Sequence, residues 1–234
     1  MRKLLHWLVL NIIRGLMALG IRTEVEGREN LPAGGPLLVI GNHFSIFDGP
    51  LVYIHLPYRP LVFLAASDLV DRHHLGWLVN LFDAIPVRRG ERDRAALERA
   101  EAVLRGGGVL GIMPEGAVDP VVRNAALAAG ELPNTRERRV AELVEARPGA
   151  AFLAVRTGAL LLPVGIIGAE NVLPNLRRLR RTTIRLVIGR PFGPLVVDPD
   201  APDASRREQI DAFGHEMMRQ IAALLPAEYR GPYR

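Results

Sequence analysis

Apolar positions along the 234-residue chain fall into two kinds of pattern. Short, nearly continuous apolar runs recur at 36–41 (PLLVIG), 61–66 (LVFLAA), 108–114 (GVLGIMP), 159–167 (ALLLPVGII) and 183–189 (TIRLVIG). Each is bounded by Gly or Pro and has the length of a buried strand rather than of a helix. Between them lie segments with helical spacing at 47–56, 91–105, 134–146, 149–158 and 203–225. Strands alternating with helices predict an α/β fold built on a mixed, largely parallel sheet flanked by helices. The Pro/Gly-rich stretch EGRENLPAGGP reads as the turn into the first strand.

The first twenty residues follow neither pattern. Projected at about 100° per residue, Leu5, Leu8, Val9, Ile12, Leu16 and Leu19 form one apolar arc. Lys3, His6, Asn11, Arg14 and Arg22 occupy the other side, and Trp7 is a residue suited to an interface. Asn11 and Arg14 near the middle argue against a spanning helix, and no small-residue cleavage site follows. An amphipathic helix lying on a membrane accounts for the pattern; a helix packed on the core would use the same spacing. The chain therefore divides into an N-terminal amphipathic, membrane-associating segment, 1–26, and a domain over 27–234.

Charge sharpens this picture. All but one of the 30 basic residues are arginine, and the net charge is +5. Arginine's planar, permanently charged fork suits phosphate. Six arginines and no acid lie in 175–190, which reads either as a solvated loop and strand edge or as a contact for an anionic surface. The apolar arc favours an anionic membrane over nucleic acid as the partner. With no cysteine, a thiol nucleophile and zinc–thiolate sites are excluded.

Candidate chemistry follows two of the predicted strands. GNHFSIFDGP, 41–50, places His43 five residues before Asp48. Ser45 and Asp48 alone would read as a helix-capping pair; His43 with Asp48 would read as a general base held by a carboxylate. In such sheets ligands bind beyond the carboxyl ends of the strands. MPEG ends the third predicted strand, so if the two strands are neighbours, Glu115 and Gly116 meet His43 and Asp48 on one rim. AIPVRRG sets Arg88 and Arg89 just before a helix, where guanidinium groups and backbone N–H groups together suit a phosphate. Trp77, Leu78 and Phe82 suit a core or an acyl-chain pocket. Asp68, Asp71, His73 and His74 read as a polar helix end rather than a metal site, and RGGGVLG as a tight turn rather than a phosphate loop.

NHFSIFD, AIPVRRG, MPEG and LLLPVGI, in this order across residues 36–167, resemble the four sequence blocks of the glycerolipid acyltransferase family. The resemblance implies an α/β domain that moves a fatty acyl group from an acyl-CoA or acyl-carrier-protein thioester to the hydroxyl of a lysophospholipid, foremost 1-acylglycerol-3-phosphate. It implies His43 as general base and Asp48 as its orienting partner. Arg88, Glu115 and Gly116 then serve acceptor binding, and Pro163 belongs to the fourth block. No metal or bound cofactor is implied, and the expected place of action is the cytoplasmic face of a membrane, as a peripheral or monotopic protein. One block departs from the family. Where it runs P-E-G-T-R, this chain has Ala117 and Val118, losing a hydroxyl and a positive charge, with Arg123, Arg136 and Arg147 as candidate replacements. A different lipid acceptor, or a lipid-binding member without catalysis, are the alternatives this departure leaves.

Overall fold

Residues 2–58, 60–67, 76–88, 93–116 and 141–234 are described by the structure, a computed structural model. Seven strands form one sheet: β1 (Ile21–Glu26), β2 (Leu37–Gly41), β3 (Leu61–Ala66), β4 (Ile85–Val87), β5 (Val109–Ile112), β6 (Leu160–Ile167) and β7 (Thr182–Ile188). Their order is β1-β7-β6-β2-β5-β3-β4. Only the β6–β7 pair is antiparallel; every other neighbouring pair is parallel, so the sheet is mixed and largely parallel as the pattern predicts. All five predicted strands are present. The sheet gains β1 and β4 at its two edges, neither of which the apolar runs announced.

The helices are α1 (Arg2–Gly20), α2 (Asp48–His55), α3 (Gly76–Leu81), α4 (Arg94–Arg105), α5 (Pro148–Thr157), α6 (Val172–Arg177) and α7 (Asp203–Ala222). Side chains alternate across a strand, and β2 shows the consequence. Leu38 and Ile40 enter a core with Leu104, Leu153, Met217 and Ile221 from α4, α5 and α7. Leu37 and Val39 enter the opposite core with Leu10 of α1 and Leu51 and Val52 of α2. Burial on both faces is why the parallel strands read as continuous apolar runs.

Two expectations need correction. The first helix stops at Gly20, and 21–26, grouped with it in the sequence reading, is an edge strand paired with β7. Residues 141–146, expected inside a helix over 134–146, have no regular structure, nor does Arg147 after them. Their N–H groups go elsewhere: Leu143 to the Tyr229 carbonyl (2.8 Å), Ala146 to the Tyr233 hydroxyl (3.1 Å) and Arg147 to the Pro114 carbonyl (2.8 Å). Residues 134–140 lie outside the described residues, as do Asp68, Asp71, His73 and His74.

Two readings of α1 were open, an apolar arc facing a membrane and one packed on the core, and the structure separates them. The core-packed reading would bury the apolar arc; the structure instead turns inward Leu10, which is buried, and Met17, with His6 and Arg14 beside them. His6 Nε2 meets the Tyr53 hydroxyl at 2.9 Å, and the His6 ring stands edge-on to Phe82 at 4.8 Å. The Arg14 guanidinium reaches the Ile54 carbonyl at the end of α2. Leu4, Leu5, Trp7, Leu8, Ile12, Leu16 and Leu19 are exposed, Leu16 by 64% and Leu19 by 75%. Among the described residues no helix is long and apolar enough to cross a membrane.

Candidate active site

β2 ends at Gly41, and the chain turns sharply into α2. Asn42 fixes the turn: fully buried, it exchanges two hydrogen bonds with Ile166 of β6, donating to its carbonyl (2.8 Å) and accepting from its N–H (2.7 Å). Asp48 opens α2 from a fully buried position. Its Oδ2 accepts the N–H groups of Phe44 (2.8 Å) and Ser45 (2.7 Å) and stands 3.0 Å from His43 Nδ1. An ionised carboxylate only accepts, so Nδ1 carries the proton and Nε2 is left to accept one. The His43 ring is about a third exposed, with a side chain relative accessibility of 31%. The capping reading of Ser45 fails, because α2 has no side-chain cap and the Ser45 hydroxyl makes only a long 3.4 Å contact to the Phe47 N–H. Asp48 accepts the loop's N–H groups and meets His43 with the same oxygen.

β5 lies directly beside β2 and runs parallel to it, so both carboxyl ends open on one rim. There the fully buried Glu115 accepts the His43 N–H at Oε1 (3.0 Å) and the Val144 N–H at Oε2 (3.4 Å). Gly116 follows at φ 67°, a left-handed conformation cheap only for glycine. The stem of Arg147 packs on it so closely that a Cβ there would sit 2.8 Å from Arg147 Cγ. His43, Asp48, Glu115 and Gly116 are therefore brought together, with Arg147 over the last of them.

The C-terminal residues tie down the same rim. Tyr229 stacks on Phe44, with ring centroids 5.7 Å apart, and donates its hydroxyl to Glu170 at 2.7 Å. Burial first, then this hydrogen bond, raises the Tyr229 hydroxyl far above the ordinary tyrosine range. Tyr233 meets His215 Nδ1 at 2.9 Å, and Arg234 pairs with Glu142 at 3.2 Å.

Arg88 stands apart. It follows β4, the edge strand three places from β2, so the backbones are separated by roughly 14 Å at ordinary strand spacing. Asp93, the N-cap of α4, accepts the Ala96 N–H (3.0 Å) and the Arg88 N–H (3.0 Å), and these bonds hold its carboxyl below the usual range. Arg89, Ala117 and Val118 lie outside the described residues, as do Arg123 and Arg136. A cleft of about 790 Å³ is lined by Leu5, Trp77, Leu81, Ile85, Arg99 and Val103. Trp77 thus lines a pocket, while Phe82 packs edge-on against Tyr53 at 5.1 Å; the side chain of Leu78 lies outside the described residues.

A family model described as "Acyltransferase" matches residues 22–167, over half of the chain. The chain belongs to the acyltransferase family. It is 31% identical over 154 residues to the 1-acyl-sn-glycerol-3-phosphate acyltransferase of Borreliella burgdorferi, covering 65% of this chain and 54% of that protein. It is 22% identical over 177 residues to the chloroplastic 1-acyl-sn-glycerol-3-phosphate acyltransferase LPAT1 of Arabidopsis thaliana, covering 73% and 44%. The chain spans about half the length of these curated relatives. Its fold matches the crystal structure of the 1-acyl-sn-glycerophosphate acyltransferase PlsC from Thermotoga maritima, with a TM-score of 0.61 at 21% identity over 92% of this chain and 78% of that one.

In this acyltransferase-family domain, sequence reasoning missed Asn42, Val144, Glu170 and Tyr229. Asn42 carried a faint signal, a polar residue between a strand and a histidine. The others left none, because their partners are distant in sequence.

Proposed function

We propose that the protein transfers a fatty acyl group from an acyl-CoA or acyl-carrier-protein thioester to the hydroxyl of a lysophospholipid, with 1-acylglycerol-3-phosphate as the leading acceptor. The observation that carries this reading is the 3.0 Å approach of His43 Nδ1 to buried Asp48 at the sheet's open rim. Asp48 holds the ring in the tautomer whose Nε2 accepts a proton. His43 Nε2 takes the acceptor's hydroxyl proton as its oxygen attacks the thioester carbonyl. The tetrahedral intermediate collapses with loss of the C–S bond, and the proton passes from Nε2 to the leaving thiolate. No covalent acyl-enzyme is needed, which suits a rim that offers no cysteine.

Glu115 is a positioning group, since it holds the backbone of His43 rather than its ring. Arg147, on the same rim, is the described arginine best located to supply the positive charge lost at Val118, and Arg88 serves the far end of an extended substrate. The cleft, mostly apolar but with Asn80, Asp83 and Arg99 in its lining, falls within the 300–1,000 Å³ span usual for ligand sites and suits an acyl chain with a polar end. α1 seats the protein on the membrane through its outward leucines and Trp7, peripherally, at the cytoplasmic face where acyl thioesters are made.

The test is thiol release and acyl transfer from a labelled acyl-CoA to a panel of lysolipids in vesicles. The intact protein should acylate lysophosphatidate and His43→Ala should lose this by about 10³-fold. Transfer that appears only with another acceptor would reassign the substrate; transfer undiminished in His43→Ala would refute the mechanism.

A further inference from the structure

The turn joining α6 to β7 carries four arginines around one leucine: Arg177, Arg178, Leu179, Arg180 and Arg181. No acid occurs between Glu170 and Asp198. Leu179 is 94% exposed, more than any other large apolar side chain among the described residues. It stands at φ 53°, a left-handed conformation that asparagine or glycine takes far more readily than leucine. The turn is nonetheless well built: Leu179 donates to the Leu176 carbonyl (3.0 Å), Arg180 to the Asn175 carbonyl (2.9 Å), and the Asn175 amide to the Thr182 hydroxyl (3.1 Å). A firm turn thus holds a leucine out into solvent.

One hydrogen bond fastens this turn to the last turn of α1, and one side chain lies close to it. The Arg181 guanidinium donates to the Ala18 carbonyl at 2.6 Å, and Leu176, half exposed, lies 3.6 Å from where a Cβ on Gly20 would stand. Leu16 and Leu19 of α1 and Leu176 and Leu179 of the turn are all exposed, and the Arg181–Ala18 bond ties the two elements that carry them. Among the described residues, the guanidinium groups of Arg177, Arg178 and Arg180 make no hydrogen bond or ion pair. Leucines beside free guanidinium groups match a bilayer, whose acyl boundary takes the former and whose anionic phosphates take the latter. Nucleic acid would satisfy the arginines and leave the leucines in water.

We propose that Leu176–Arg181 is a second membrane-docking element: Leu176 and Leu179 enter the acyl boundary while Arg177, Arg178 and Arg180 bind anionic headgroups. With α1 it gives two points of attachment and so fixes how the protein is tilted on the membrane. The proposal rests on the reading of α1 as a membrane face, and its test separates the two.

The full chain is floated with vesicles of phosphatidylcholine, alone or mixed with phosphatidylglycerol, at low salt. Arg177→Gln/Arg178→Gln/Arg180→Gln should lose binding to the mixed vesicles by roughly 100-fold and change little on neutral ones. Leu179→Asn, which suits the left-handed backbone, should keep or raise the melting temperature and weaken binding to both by about 10-fold. Leu8→Asp/Ile12→Asp tests α1 independently and should lose binding to both. If the turn variants bind like the intact protein while the α1 variant fails, the turn proposal is overturned and the α1 reading stands. If all variants bind like the intact protein, both fall. If the arginine variant loses affinity for a single-stranded oligonucleotide and none for vesicles, the arginines serve nucleic acid and the proposal is overturned.

Discussion

In the loop after β2, polar groups leave water: Asn42, Asp48 and Glu115 are buried, and their hydrogen bonds run to backbone N–H groups, to a backbone carbonyl and to His43. Along α1 the arrangement is reversed. Leu10 and Met17 pack on the core, beside His6 and Arg14 turned toward α2, and seven large apolar side chains, from Leu4 to Leu19, are left in solvent. Both regions obey one rule, that a side chain goes to the phase which satisfies it. At the rim the protein itself supplies donors within 3.4 Å to Asp48 Oδ2 and to both Glu115 oxygens, while Asp48 Oδ1 is buried with no partner among the described residues. α1 keeps its leucines exposed, and exposed leucines on this scale mark an interaction surface, which the proposed function assigns to a membrane.

The largest effect that would separate the two regions comes from Asp48→Asn. The variant removes the charge that two backbone N–H groups and the His43 ring share, so it should cost about 3 kcal/mol of stability and most of the activity. Denaturant melts and acyl-transfer assays on the same sample check both. Its α1 counterpart is Leu8→Asp/Ile12→Asp, which should leave the melt within about 0.5 kcal/mol of the intact protein. A large loss of stability there would mean that the arc is buried in solution and that the contrast is false.

A smaller effect concerns the seat of α1. His55, at the end of α2, is held below the ordinary histidine range by burial, then by the charges of Arg28 and Arg14. The unfolded chain therefore binds the proton more readily than the folded one. Stability from this group is present above the ordinary value of about 6.5 and falls as pH drops through it toward the lower folded value. The melting temperature should decline over that window, and His55→Gln should flatten the decline. An unchanged slope in the variant would remove His55 from the account.

How much of this was legible in the sequence follows from the range of each interaction. The five apolar runs gave their strands because burial on both faces leaves no other pattern. β1 escaped notice because IRTEVE is an edge strand whose side chains alternate between covered and exposed, and β4 because three residues carry no period. His43 and Asp48 were readable as a local spacing, and Glu115 followed from the rule that sites form at strand ends. Asn42 with Ile166, 124 residues apart, could not be read, nor could Tyr229 over Phe44. Residues 141–146 misled for the same reason: their helical spacing lost to hydrogen bonds from the rim and the C-terminal residues. For α1 the periodicity was plain, yet no periodicity says which face turns inward.

The most direct measurement compares two acceptors in one assay, a lysophosphatidate embedded in vesicles and a short-chain, water-soluble analogue. His43→Ala should lose transfer to both, because in the proposed mechanism the rim performs the chemistry wherever the acceptor resides. Leu8→Asp/Ile12→Asp should lose transfer only to the embedded lipid and keep the soluble reaction. Equal loss with both acceptors in the α1 variant, or transfer surviving in His43→Ala, would contradict the division of labour drawn here between rim and helix.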